Sequence, residues 1–156
     1  MNLGKWEIIR ITLYVALLLI SFLIERKTRL IPNALTYGFV LLGLGLSVAE
    51  GLGAPFPWTP IADSAIGLAL CFGSGAVIFA QRLAPGGLVK LLAAAGAVAR
   101  SPLAAYLAVS CLFLTLLLES LYRKRTSATP IPGSVVVAIA SILMITEYFV
   151  RMMLKK

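Results

Sequence analysis

The chain has 156 residues, 60% of them hydrophobic and 13% charged, whereas soluble domains carry about 25% charged residues. This composition excludes a water-soluble fold and predicts one all-α integral membrane domain over residues 1–156. In a soluble chain the net charge of +8 would indicate a nucleic-acid partner. Here the cations fall between apolar runs, so we expect them to set membrane orientation and contact lipid headgroups, with no nucleic acid bound.

The first apolar run, Ile8 to Ile24, has about the length that spans a bilayer, roughly 20 residues. Glu25 and two basic residues follow it in place of a small-residue cleavage site, so we predict a transmembrane helix rather than a removable signal peptide. Pro32 then suits the first turn of a second helix, which runs from Asn33 to Ala49. We expect the side chain of Asn33 or Thr36 to cap the free backbone N–H groups of that helix.

A turn-rich loop, Glu50 to Pro60, precedes a third helix that reaches Ala80 and that we expect Asp63 and Ser64 to cap. The fourth helix, Leu88 to Ala99, is too short to span a bilayer, which predicts a tilted, partly buried or interfacial position. The fifth and sixth helices are predicted at 101–122 and 131–150. We expect close helix approach at the glycines of the second helix, namely Gly38, Gly43 and Gly45. The third helix carries Gly67, Gly73 and Gly75.

Cys71 and Cys111 lie inside apolar runs without C-x-x-C spacing, and the chain contains no histidine. This pattern favours two buried thiols over a zinc site or a disulfide. We therefore predict no metal and no other cofactor.

Six crossings would place both termini on one side of the membrane. The loops after the first, third and fifth helices hold eight cations, and the other side of the membrane holds six. The eight are Arg26, Lys27, Arg29, Arg82, Lys90, Arg123, Lys124 and Arg125. The six are Lys5, Arg10, Arg100, Arg151, Lys155 and Lys156. The excess predicts that the two breaks in the apolar pattern face the cytoplasm and that both termini lie outside. We expect a multi-pass protein of the inner, cytoplasmic membrane. If the fourth helix does not cross, the C-terminus changes sides.

Those two breaks carry the motifs. The first reads Glu25-Arg-Lys-Thr-Arg-Leu-Ile-Pro-Asn33, followed by Ala-Leu-Thr36, and the second reads Pro85-Gly-Gly-Leu-Val-Lys-Leu-Leu-Ala-Ala-Ala-Gly-Ala97. They resemble the two signatures of the type IV prepilin peptidases, in order and with matching spacing. The loop Thr129-Pro-Ile-Pro-Gly133 resembles the entry to that family's last helix, and the likeness extends from Ile8 to Val150.

The resemblance implies an intramembrane aspartyl endopeptidase that removes the basic leader from pilin-like or pseudopilin precursors at the cytoplasmic face. One aspartate comes from each signature, and two close carboxylates do not ionise together easily. One therefore activates water while the other holds the proton and polarises the scissile carbonyl. Because the length and the C-x-x-C pairs of a methylating domain are absent, we expect the peptidase-only form.

Both aspartate positions are substituted, by Glu25 and by Leu88. The glutamate is one methylene longer, and a shift of about 1 Å is costly in pre-organised catalysis, while leucine has no acidic group at all. The resemblance thus implies a prepilin-peptidase-like protein with impaired catalysis at Glu25 and Leu88. The substrate-binding positions it implies are Ile31, Pro32, Asn33, Gly86, Gly87 and Lys90.

Each position also has a structural interpretation. Glu25 would be a headgroup-level charge in a basic loop, Pro85-Gly86-Gly87 a turn, and Lys90 a ligand for lipid phosphate. The run Ala93 to Ala97 fits a helix-packing face as well as a substrate groove. Glu119 and Glu147 are expected to pair with cations four residues later, Arg123 and Arg151.

Three functions follow. The preferred one is a protein of this fold that has lost peptidase chemistry and binds or orients pilin-like precursors or partners in secretion and pilus assembly. The second is an active, atypical peptidase that uses Glu25 with an unrecognised second acid. The third is a membrane scaffold or transporter-like protein, in which internal charges would mark a path. The sequence leaves the oligomeric state open.

Overall fold

The computed structural model describes residues 5–28, 30–53, 55–82, 86–122, 136–137 and 139–142. Within these ranges the chain forms five long helices and no strand. The helices are α1 (Lys5–Thr28), α2 (Asn33–Gly51), α3 (Trp58–Ala80), α4 (Gly86–Ala99) and α5 (Ser101–Tyr122). Helices α1, α2 and α3 are each long and apolar enough to cross a membrane, which confirms the prediction of an all-α integral membrane protein.

The predicted boundaries of most of these helices agree with the structure to within a few residues. Residues 136–137 and 139–142 of the predicted sixth helix are helical. The rest of that helix, the Thr129–Gly133 loop, and the expected pairs of Glu119 with Arg123 and of Glu147 with Arg151 lie outside the described residues or side chains.

Helix α4 lies at the centre of the bundle. It contacts α1, α2, α3 and α5, and 10 of its 14 residues are buried. This burial agrees with the partly buried position that was among those expected for the short helix. A helix that is apolar on every side buries all of its faces, and α4 is such a helix.

Small residues bring α4 close to its neighbours. A Cβ atom added at Gly43 would lie 2.9 Å from the carbonyl carbon of Ala97, and one added at Gly75 would lie 3.0 Å from the Cα of Val89. Gly67 faces the backbone of Gly96 in the same way. The run from Ala93 to Ala97 is therefore a packing face. The prediction was wrong for Gly38 and Gly45, since no atom of the described residues lies within 4 Å of a Cβ added at either position.

Two capping predictions were wrong. Helix α2 has Pro32 as its N-cap with no side-chain hydrogen bond, and the Thr36 hydroxyl donates to the Asn33 carbonyl at 3.0 Å. Asp63 and Ser64 lie inside α3, which begins at Trp58. Helix α3 starts earlier because proline fits the first turn, where no intrahelical donor is required, and Pro60 occupies that turn.

The outside of the bundle is apolar. Large hydrophobic side chains on different helices are exposed, among them Leu23, Leu41, Phe72, Val109 and Phe113. Lipid chains can cover such a surface without a hydration cost, whereas water cannot. Inside the bundle, the Cys71 and Cys111 side chains are both buried, as the sequence predicts.

Candidate functional site

The two signature segments meet at one end of the bundle. A Cβ at Gly87, in the first turn of α4, would lie 3.6 Å from the Cβ of Ile31, in the link between α1 and α2. Lys90 Nζ donates a hydrogen bond of 2.6 Å to Asn33 Oδ1. We call these four residues, Ile31, Asn33, Gly87 and Lys90, the signature corner.

Local sequence explains why the corner forms. Pro32 holds extended backbone, with φ −65° and ψ 138°, and so ends the α1–α2 link and opens α2 beside it. Gly87 lies against the buried side chain of Ile31, at a distance where an added Cβ would make an ordinary van der Waals contact. Of the other predicted binding positions, Pro32 is exposed and Gly86 faces Phe79 rather than Ile31. Pro85 lies outside the described residues.

The two motif acid positions are both buried. Glu25 is 8% exposed, although its neighbours Arg26 and Lys27 are exposed. Leu88, next to Gly87 in the first turn of α4, is 1% exposed. Glu25 is thus a buried carboxylate on the inner face of α1, and its level relative to the headgroups stays a prediction.

The chemistry available at the corner follows from these groups. A carboxylate pair needs two acids that share a proton, and the aliphatic Leu88 can neither hold nor transfer one. Among the carboxylates whose side chains the structure describes, Glu7 lies in the first turn of α1, and Glu50 and Asp63 contact residues at the other end of α4. The described part of the chain therefore supplies one carboxylate from the motif positions and no aspartate near it.

Comparison with known proteins agrees with this geometry. The model of the type IV leader peptidase family matches residues 12–146, which include both signature segments. The chain belongs to the type IV leader peptidase family. No curated protein matches the chain, and no solved structure does.

Sequence reasoning missed a polar cluster in this leader peptidase fold. Arg10 was counted as a headgroup cation, but it is 7% exposed in the bundle interior. Its Nη1 donates to the Val98 carbonyl at 3.2 Å and to Ser64 Oγ at 3.4 Å, and its Nη2 donates to Ser47 Oγ at 2.8 Å and to Glu50 Oε2 at 3.3 Å. The missed signal was a charge inside an apolar run, which usually faces the interior of a membrane protein.

Arg100 completes this cluster from the link between α4 and α5. Its φ of 70° turns the chain between the two helices, and its guanidinium also pairs with the Glu50 carboxylate. Burial, and next the charge of Arg10, lowers the pKa of Arg100 from its ordinary value. Arg10, Ser47, Glu50, Ser64 and Arg100 together form what we call the distal cluster. Beside it, Ser101 Oγ donates to Asp63 Oδ1 at 3.0 Å.

Proposed function

We propose that this leader peptidase family member binds the leader region of pilin-like or pseudopilin precursors at the signature corner but lacks the family's cleavage chemistry. The observation that carries the proposal is the meeting of the two signatures, Ile31 with Gly87 and Asn33 with Lys90. The family match over residues 12–146 supports the same substrate class. In this proposal the corner faces the cytoplasm from the inner membrane, and the chain is one domain.

The impairment rests on Leu88. Water attack on a peptide bond needs a general base and a partner that holds the carbonyl's developing charge. Glu25 can supply one of these functions, whereas a leucine can supply neither. The Leu88 side chain is also 1% exposed. Because it is aliphatic, it gives a water molecule no hydrogen-bond partner.

The experiment uses the purified protein in detergent with a pilin-type precursor. We expect binding of the precursor without leader cleavage. Leu88→Asp combined with Glu25→Asp should restore cleavage, and Leu88→Asn with Glu25→Asp is the matched control, since asparagine has the same size without the acid. Cleavage by the unchanged protein would contradict the impairment, and absence of precursor binding would contradict the substrate class.

One observation favours a second candidate, an active peptidase that uses Glu25 with another acid. Glu25 is buried while its cationic neighbours are exposed, which places its carboxylate on the inner face of α1. This candidate requires cleavage by the unchanged protein and its loss in Glu25→Gln. Cleavage that survives Glu25→Gln would remove Glu25 from the mechanism altogether.

A further inference from the structure

Helix α4 is tied by a polar contact at each end. Near its first turn, Lys90 bonds to Asn33 of α2, and near its last turn, the Val98 carbonyl accepts a hydrogen bond from Arg10 of α1. The two tied residues are eight positions apart, or about 12 Å along the helix axis. The site end of α4 and its distal end are therefore both held by charged side chains.

Val98 is one of the carbonyls that the end of α4 leaves without an intrahelical partner, because the helix ends at Ala99. Arg10 satisfies that carbonyl and also places a positive charge at the negative end of the helix dipole. The same guanidinium reaches Ser47 and Glu50 on α2 and Ser64 on α3. A single side chain of α1 thus joins the C-terminal end of α4 to two other helices.

The close backbone contacts of α4 are of a different kind. They join Gly43 to Ala97, Gly67 to Gly96 and Gly75 to Val89. Small apolar surfaces set how closely two helices approach, but they contain no directional group. Hydrogen bonds are directional and fix distance and angle, so the polar contacts at the ends define where α4 sits along its axis.

We propose that Arg10 is a positioning residue for the signature corner. It lies on the buried face of α1, which also carries Glu25. The bond from Arg10 to α4 therefore fixes how far α4 is shifted along its axis relative to α1. That shift in turn sets how the first signature lines up with the second. Arg10 acts through Val98 and the body of α4 on Gly87 and Lys90, and it touches no substrate.

An arginine is needed for this role. Its planar guanidinium directs several N–H donors at once, whereas a lysine presents one ammonium group and cannot bridge the same acceptors. Arg10 uses Nη1 for α3 and α4 and Nη2 for α2. Lysine at this position would keep the positive charge but lose the hydrogen bonds that join three helices. The Arg10→Lys variant therefore distinguishes a positioning role from simple charge compensation.

The test measures the corner directly through a disulfide between Ile31→Cys and Gly87→Cys. We expect Arg10→Met to slow formation of that disulfide about tenfold, as the loss of hydrogen bonds to a charged group would suggest, while the helical content stays the same. Arg10→Lys should also slow it, to a smaller extent. The matched control is Arg26→Met, which removes an exposed cation from the same helix and should leave the rate unchanged.

A lower melting temperature with an unchanged disulfide rate in Arg10→Met would mean that Arg10 only stabilises the fold, and this would overturn the proposal. If Arg10→Met does not fold, Arg10→Lys decides by the same rate. Weaker precursor binding by the Arg10 variants is a further expectation, and it alone rests on the proposed function. Failure of the parent protein to bind precursor would therefore overturn the proposed function and leave the disulfide result standing.

Discussion

Lys90 and Asn33 are 57 residues apart in sequence and are joined by a hydrogen bond of 2.6 Å between Lys90 Nζ and Asn33 Oδ1. This bond connects the second signature to the first. It also gives Lys90 a protein partner, so the lysine is not solely a ligand for lipid phosphate. Through this bond, Asn33 of the first signature and Lys90 of the second hold each other in position.

The first prediction concerns the contact between Ile31 and Gly87. Cysteines at these positions should form a disulfide under mild oxidation, because the Cβ atoms would be 3.6 Å apart and disulfides need about 3.5–4.5 Å. Gel mobility with and without a reductant, in a background where Cys71 and Cys111 are replaced by alanine, measures the yield. Ile31→Cys with Gly86→Cys is the control, since Gly86 faces Phe79. Equal yields from the two pairs would contradict the described corner.

The second prediction concerns Lys90. Lys90→Met should weaken precursor binding, because the Asn33 amide loses the donor that orients it. The bond is solvent-exposed, so the free energy of unfolding should change by less than about 1 kcal/mol. Binding isotherms and chemical denaturation measure the two effects. Lys27→Met, which removes an exposed cation of α1, is the control for net charge, and an equal loss of binding there would assign the effect to charge alone.

The third prediction concerns Glu50, the carboxylate that Arg10 and Arg100 share. Glu50→Gln should destabilise the protein by about 1–3 kcal/mol, since Glu50 is part-buried and the change leaves the two cations without their hydrogen-bonded charge. Asp63→Asn is the control, because an amide oxygen still accepts the Ser101 hydrogen bond. Thermal unfolding in detergent compares them, and equal melting temperatures for the two variants would contradict a central role for Glu50.

The fourth prediction concerns the approach of α2 to α4. Gly43→Ala should cost about 1–3 kcal/mol, the range for overpacking, because the new methyl group would lie 2.9 Å from the Ala97 backbone. Gly38→Ala, on the same helix with no atom of the described residues within 4 Å, should stabilise the protein by about 0.4–1 kcal/mol, because alanine favours a helix more than glycine does. Unfolding by denaturant measures both. A neutral Gly43→Ala would mean that the helices separate more easily than described.

The fifth prediction concerns Tyr14, whose hydroxyl shares a 2.6 Å hydrogen bond with Ser141 Oγ. Tyr14→Phe should cost about 1 kcal/mol, since Ser141 keeps its bond to the Val137 carbonyl. Tyr37→Phe changes an exposed tyrosine and should cost nothing measurable. Thermal unfolding of the two single variants tests the difference. If both variants are equally stable, Ser141 does not anchor α1 to the helical residues 139–142.

The helices and the two signatures were predictable because each leaves a local signal. Apolar runs of spanning length, a proline after a basic stretch and a Pro-Gly-Gly turn all act within a few residues. The contact of Ile31 with Gly87 is not local, and the resemblance implied only that each signature supplies one acid of a shared site. The position of Glu25 in the motif was likewise readable, but its burial was not.

Arg10 was misread because a sequence pattern gives the depth of a charge without giving its partners. Its acceptors come from residues 37 to 88 positions away. Asp63 and Ser64 were predicted as caps because both residue types are good N-caps. In the structure they lie within α3, where Asp63 contacts Ser101 and Ser64 contacts Arg10. The central position of α4 was open in the sequence because a short apolar helix fits several depths.

Arg10 and Glu25 are 15 residues apart on the same continuous helix, which places them about 22 Å apart along its axis. The hydrocarbon layer of a bilayer is thicker than that, at about 30 Å. At least one of these two charges must therefore lie at the depth of the acyl chains, where only protein groups can replace water. The fold consequently fits best in a hydrocarbon layer of a particular thickness. In a thinner bilayer both charges should lie closer to the aqueous phase.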